Sequence, residues 1–136
     1  LKIEFIHPKF LPTWILILLM RIGVFIPFQF QVILGKIIGK VIYPFMSKLR
    51  ATAYSNISNC FPEKKTTTGT LLVKQHFEAI GISLFETANA YYGSDRKIKK
   101  LFTISNEHHS KDALKKEGGI ILLCSHFMPL MLGSRA

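Results

Sequence analysis

The chain has 136 residues, 49% of them hydrophobic, and a formal net charge of +10, which fits one domain or part of one. No Asp or Glu lies between Glu4 and Glu63, whereas six Lys and Arg residues do, spaced among Ile, Leu, Val and Phe. This mixture favours an anionic membrane surface as the partner, since each cation near such a surface adds about 1 kcal/mol. It argues against nucleic acid, which would contact a polar basic face.

The first long apolar stretch, residues 10–34, predicts a helix at a membrane. A bilayer-spanning helix needs about 20 apolar residues, but Arg21 interrupts this stretch after eleven. A secretory signal peptide does not fit, because no small-residue cleavage site follows. Two alternatives stay open: an anchor helix with Arg21 near one end, or a helix in the membrane interface with Trp14 at the headgroups. Pro27 is expected to break the helix and start a second one.

The second predicted helix covers residues 27–45. Gly35 and Gly39 have the spacing that lets two helices approach closely. Lys36 and Lys40 lie four residues apart and therefore share one face, from which both can reach lipid headgroups.

A polar helix over residues 47–59 and a loop over 63–70 precede a long helix at residues 71–92. The apolar residues of the long helix recur every three or four positions, which predicts one buried face. The predicted face consists of Val73, Phe77, Ile80, Leu84 and Ala88. Gly93 is expected to end this helix.

The last third of the chain predicts a strand, a helix and a second strand. Residues 101–105 and 120–125 are short apolar runs, and residues 109–116 between them predict a helix that the glycines at 118–119 close. A unit of this kind places two strands side by side in parallel. The expected fold class is therefore α/β, with membrane-associated helices that precede the α/β domain in the chain.

His126 is the main candidate for catalysis, because it follows the second strand at the edge where α/β sheets usually carry their sites. An imidazole there can act as a general base that takes a proton from an attacking hydroxyl. A carboxylate usually fixes the tautomer of such a histidine. The alternative is a strand-end histidine that is hydrogen-bonded to the backbone.

Other titratable residues in the middle of the chain have simpler interpretations. His76, in the long helix, fits a packing role, and Glu86 fits either an orienting group or a solvated position. His108 and His109 lie beside Glu107 without a third ligand at a suitable spacing, so no metal site is predicted.

The basic run at residues 96–100 is expected to be a solvated face or to steer an acidic protein partner. Cys60 and Cys124 lack metal-ligand spacing and are expected to be reduced thiols. A catalytic Cys124 next to His126 is an alternative.

Four segments spread along nearly the whole chain carry a family pattern. They are His7-Pro8-Lys9-Phe10; Arg50 and Asn56 with Cys60-Phe61-Pro62-Glu63; His76-Phe77 with Gly81 and Glu86; and Gly118 to Leu123 leading into His126-Phe127. In this order and spacing they resemble the N-terminal half of the bacterial lipid A biosynthesis acyltransferases of the lauroyl/myristoyl type. That family belongs to the lysophospholipid acyltransferase superfamily.

The resemblance implies an enzyme at the cytoplasmic face of the bacterial inner membrane. Such an enzyme moves a fatty acyl chain from acyl carrier protein to a hydroxyl of a lipid A precursor, with no other cofactor. The resemblance also implies that His126 is the catalytic base of a His-x4-Asp/Glu motif, in which the acid orients the histidine. Residues 1–46 are then the membrane anchor or interfacial helices, and residues 47–136 are the N-terminal part of an incomplete acyltransferase α/β domain.

The acid position of that motif holds Met131, which cannot accept the imidazole N–H as a carboxylate would. The chain is also shorter than a full member, so we expect a fragment with weak or no activity. The alternative is a non-catalytic membrane-bound remnant or interaction module. A third possibility, a basic nucleic-acid binder, predicts salt-sensitive DNA binding without membranes.

Overall fold

A computed structural model describes residues 7–64, 67–115, 120–121, 123 and 130–135, and over these residues the regular structure is helical. The helices are α1 (Leu11–Gly23), α2 (Phe28–Ile42), α3 (Ser47–Cys60), α4 (Thr67–Tyr92), α5 (Asp95–Lys99), α6 (Glu107–Leu114) and α7 (Leu130–Gly133), with short 3-10 turns at Pro8–Phe10 and Pro62–Lys64. The boundary expected between residues 46 and 47 remains a prediction.

The predicted α/β class is wrong for the part of the chain that the structure describes. Residues 102–105 of the first expected strand are irregular and have no strand beside them in the described ranges. A lone extended segment leaves its backbone N–H and C=O groups without the partners that a sheet supplies. Asn106, with a left-handed φ of 61°, ends this segment and leads directly into α6. Of the second expected strand, the described residues 120–121 and 123 are not in a strand either, and the rest lies outside the described residues.

The long helix α4 is the centre of the packing, because α1, α2, α3 and α7 all contact it. Its predicted buried face is partly confirmed: Val73, Phe77 and Ala88 are fully buried. Leu84 is 44% exposed, so its predicted place in the core is wrong. Gly81, rather than a large side chain, occupies the middle of the packed face.

The close approach predicted at Gly35 and Gly39 is confirmed where α2 crosses α4. A Cβ on Gly35 would lie 2.6 Å from the Cα of Ile82, and one on Gly39 would collide with the carbonyl oxygen of Phe77. From the other side, a Cβ on Gly81 would collide with the carbonyl oxygen of Gly35. Three glycines therefore bring the two backbones into direct contact, as the same spacing does between helices in membranes.

Pro27 separates α1 from α2, as predicted, and stands at the N-cap of α2. Gly93 follows the last residue of α4, also as predicted, and its N–H donates to the carbonyl oxygen of Asn89 at 2.8 Å. Across the described ranges, no helix has both the length and the hydropathy that crossing a bilayer requires.

Candidate functional site

The predicted catalytic residue His126 lies outside the described residues, as does Cys124. The described helix that follows His126 in the chain is α7, which contains Met131 at the acid position of the expected motif. The Met131 side chain is 45% exposed, whereas its neighbour Leu132 is buried. A carboxylate side chain at position 131 would therefore have access to solvent.

Arg135 fastens the end of α7 to the carboxyl-terminal end of α4. Its guanidinium donates to the carbonyl oxygens of Ala90 at 2.6 Å and Asn89 at 3.4 Å. The same group forms an ion pair with Asp95, with 2.9 Å between Nη2 and Oδ1. The segment that carries Met131 is thus held beside the junction of α4 and α5.

Two buried amides tie the α1–α2 turn to α4. The Nε2 of Gln31 donates to the carbonyl oxygens of Gly23 at 2.8 Å and Ile26 at 3.0 Å. The Nδ2 of Asn89 donates to the Oε1 of Gln31 at 2.6 Å and to the carbonyl oxygen of Phe85 at 2.8 Å. Both side chains are fully buried. No role was predicted for Gln31 from the sequence, although an amide within an apolar stretch is a signal for a buried hydrogen bond.

Lys97 departs from the solvated basic face predicted for residues 96–100. Its ammonium group folds back onto the α1–α2 turn and donates to the carbonyl oxygens of Val24 and Ile26. Burial lowers the pKa of this lysine. Arg96, Lys99 and Lys100 are exposed, as expected. The sequence offered no signal that one cation of the run would turn inward.

A cavity of about 860 Å³ lies between the α1–α2 turn and the junction of α4 and α5. The residues of its lining that bear on its chemistry are Arg21, Phe25, Tyr91, Tyr92, Ser94 and Lys97. The guanidinium carbon of Arg21 lies over the ring of Tyr92, 5.4 Å from its centroid, as in a cation–π contact. The Ser94 hydroxyl caps α5 by accepting from the backbone N–H of Lys97 at 3.3 Å.

Large apolar side chains are exposed along α1, α2 and the turn between them, and we call these side chains together the α1/α2 surface. Exposed apolar surface on this scale marks sites of interaction with proteins or membranes. The α1/α2 surface consists of Leu11, Trp14, Ile15, Leu16, Leu18, Leu19, Ile22, Phe25, Phe30, Ile33, Leu34, Ile37 and Val41. Lys36 is exposed beside it, but Lys40 lies 3.5 Å from the carboxylate of Glu78 on α4. Lys40 is therefore not fully available for the headgroup contact that was predicted for it and Lys36.

The remaining candidates do not converge on one site. His76 is half-buried with its ring edge-on to Phe77, as a packing role requires. Glu86 is half-buried, and burial raises the pKa of its carboxyl group. His108 and His109 are exposed on α6. Among the residues that the structure describes, no three His, Cys, Asp or Glu side chains are grouped so as to hold a metal ion.

The family model of the bacterial lipid A biosynthesis acyltransferases matches residues 1–136. The chain belongs to this family. It is 29% identical to the lipid A biosynthesis palmitoleoyltransferase of Escherichia coli K12 over 132 residues, which are 97% of this chain and 43% of that protein. With the lauroyltransferase of the same organism it shares 31% identity over 130 residues, which are 96% of this chain and 42% of the relative.

A lipid A biosynthesis acyltransferase of Haemophilus influenzae is 26% identical over 134 residues, which are 97% of this chain and 42% of that relative. The chain thus spans less than half the length of these relatives. No solved structure matches significantly.

Several residues of the family pattern have structural roles in this chain. Gly81 allows the close crossing of α2 and α4. Arg50 lies over the ring of Tyr43, 5.0 Å from its centroid, and donates to the Tyr43 carbonyl oxygen at 3.3 Å. Cys60, at the end of α3, is an exposed free thiol. These residues of the family pattern therefore stabilise the packing of the helices, whereas His126 lies outside the described residues.

Proposed function

We propose that this chain is the amino-terminal part of an enzyme that moves a fatty acyl chain from acyl carrier protein to a hydroxyl of a lipid A precursor. The observation that carries the proposal is the family match, which extends over all 136 residues. Two relatives are named for the transfer of palmitoleoyl and lauroyl groups. The thioester itself supplies the activated acyl group, so the proposal requires no further cofactor or metal.

His126 acts as the general base in this proposal. It takes the proton of the acceptor hydroxyl, whose oxygen attacks the thioester carbon. The carbon–sulfur bond then breaks, an ester forms, and the proton passes from the imidazolium to the leaving thiolate. Met131 gives the imidazole no carboxylate partner, so the step is expected to be slow in this chain.

We place the chain at the cytoplasmic face of the bacterial inner membrane, with the α1/α2 surface in the membrane interface. The exposed apolar side chains support this placement, because leaving them in water is unfavourable. The exposed cations Arg21 and Lys36 and the absence of acids over sequence positions 5–62 fit an anionic lipid surface. The exposed cations Arg96, Lys99 and Lys100 offer an acidic acyl carrier protein a docking face.

A vesicle flotation assay tests the membrane placement. Leu19, 59% exposed on the α1/α2 surface, is replaced by Glu. We expect at least about a tenfold loss of binding to vesicles that contain phosphatidylglycerol, because one apolar side chain leaves the interface and a charge enters it. Leu114→Glu is the matched control, since Leu114 is also exposed, at 66%, but lies on α6 and not on the α1/α2 surface.

Equal binding of the two Glu variants would contradict the placement. Salt-sensitive binding to DNA without any binding to vesicles would favour the nucleic-acid alternative instead.

A chimera tests the proposed chemistry. Residues 1–136 replace the matching segment of the E. coli lauroyltransferase, and acyl transfer is followed with an acyl carrier protein thioester and the lipid A precursor. We expect low transfer that falls by about 10²-fold or more in His126→Ala, because the general base is lost. His109→Ala, at an exposed position on α6, serves as the control.

A non-catalytic membrane-bound module is the second candidate, and Met131 at the acid position favours it. In that case His126→Ala and the unmodified chimera are equally inactive in transfer, while vesicle binding is retained.

A further inference from the structure

The cavity between the α1–α2 turn and the junction of α4 and α5 has a lining suited to an anion. Arg21 and Lys97 contribute two cations, and Ser94, Tyr91 and Tyr92 contribute hydroxyl groups. Its described lining includes no carboxylate. The nearest acid in sequence, Asp95, is already paired with Arg135.

Both cations keep donors for a ligand. An ammonium group has three N–H donors, and Lys97 uses two of them on the carbonyl oxygens of Val24 and Ile26. A guanidinium that lies over an aromatic ring, as Arg21 lies over Tyr92, still presents its N–H groups at its edge. In the described ranges, no carboxylate forms an ion pair with Arg21.

The cationic cavity also borders exposed apolar side chains. Phe25 is 88% exposed, lines the cavity and also belongs to the α1/α2 surface. Ile22, the residue that follows Arg21 in α1, is exposed as well. A molecule with a charged head in the cavity would therefore have its apolar part beside α1.

We propose that this cavity binds the phosphate headgroup of an anionic phospholipid of the bilayer, with the acyl chains of that lipid along the α1/α2 surface. A planar guanidinium matches two phosphate oxygens at once, and an ammonium adds a point charge. The volume of about 860 Å³ is within the usual range for a small-molecule site. A phosphate there would also counteract the effect of burial on the pKa of Lys97, since a nearby anion favours the charged form. The proposal rests on the membrane placement above and not on acyl transfer.

Flotation with phosphatidylcholine vesicles, with and without phosphatidylglycerol, tests this site through three single variants of the chain. Lys48→Gln removes one exposed cation of α3 that is not part of the cavity lining, and we expect a few-fold loss on anionic vesicles from reduced general attraction. Arg21→Gln removes the same charge, and we expect about tenfold weaker binding than Lys48→Gln because the phosphate contacts are lost as well. Arg21→Lys keeps the net charge but loses the planar fork, so we expect an intermediate loss.

Equal binding of Arg21→Gln and Lys48→Gln, together with unchanged binding of Arg21→Lys, would overturn the headgroup site. In that outcome the unmodified chain still binds anionic vesicles, and the membrane placement stands. If the unmodified chain binds neither kind of vesicle, both the placement and the site are wrong. Circular dichroism of each variant ensures that a folded chain is compared in every case.

Discussion

Replacing Gly81 by Ala is expected to destabilise the fold by about 2–3 kcal/mol. Alanine in place of glycine improves the helical propensity of α4 by about 1 kcal/mol. The added methyl group, however, meets the backbone of α2 at Gly35 and Gly39, which cannot rotate away as a side chain can. The two helices must separate, and we expect this overpacking to cost about 3–4 kcal/mol, above the usual range of about 1–3 kcal/mol, because the contact is between backbones.

Thermal unfolding followed by circular dichroism measures this effect. A loss of 2–3 kcal/mol corresponds to a fall in Tm on the order of 10 °C for a chain of this size. Gly133→Ala is the matched control, because a Cβ on Gly133 has no atom within 4 Å. Similar Tm values for the two variants would show that α2 and α4 are not in backbone contact at this crossing.

Replacing Met131 by Glu is expected to raise acyl transfer by on the order of 10³-fold in the chimera described above, because an orienting carboxylate is restored to the histidine. The half-exposed position of Met131 lets a carboxylate be accommodated without burying its charge. The resemblance to the acyltransferase family assigns position 131 to that acid, and Arg135 holds the same segment against α4.

Met128→Glu is the control for this gain, since it introduces the same group at the wrong place in the motif. The rise should also disappear in the double variant Met131→Glu with His126→Ala. A gain that persists without His126, or that Met128→Glu reproduces, would contradict the assignment of position 131 as the acid that serves the histidine.

Helices were the part of the fold that the sequence could predict. The expected helix at residues 71–92 corresponds to α4 at Thr67–Tyr92, and the break at Pro27 lies between α1 and α2. These predictions succeeded because periodicity, proline and glycine act locally. The strand expected at residues 101–105 failed because a short apolar run has the same pattern in a strand and in irregular chain. Only a neighbouring strand could have decided between them.

The long-range contacts at the α1–α2 turn could not be predicted from the sequence. Lys97 reaches the carbonyl of Val24 across 73 positions, and Asn89 reaches Gln31 across 58. No local pattern encodes such pairs, since they depend on how α4 lies against the α1–α2 turn. The catalytic prediction at His126 rested on its place after an expected strand and on the family pattern, and it remains a prediction.

The hydrogen bonds at the α1–α2 turn impose an order on the biogenesis of the chain. The side-chain carbonyl of Gln31 receives its donor only when Asn89 has been synthesised, and the carbonyl of Val24 receives the ammonium of Lys97 later still. Until then the α1–α2 turn lacks both contacts, while the apolar side chains of the α1/α2 surface are exposed, as they are in the folded chain. Because the α1/α2 surface is present as soon as α1 and α2 have formed, its contact with a bilayer does not depend on α4, and we expect membrane contact to begin during translation.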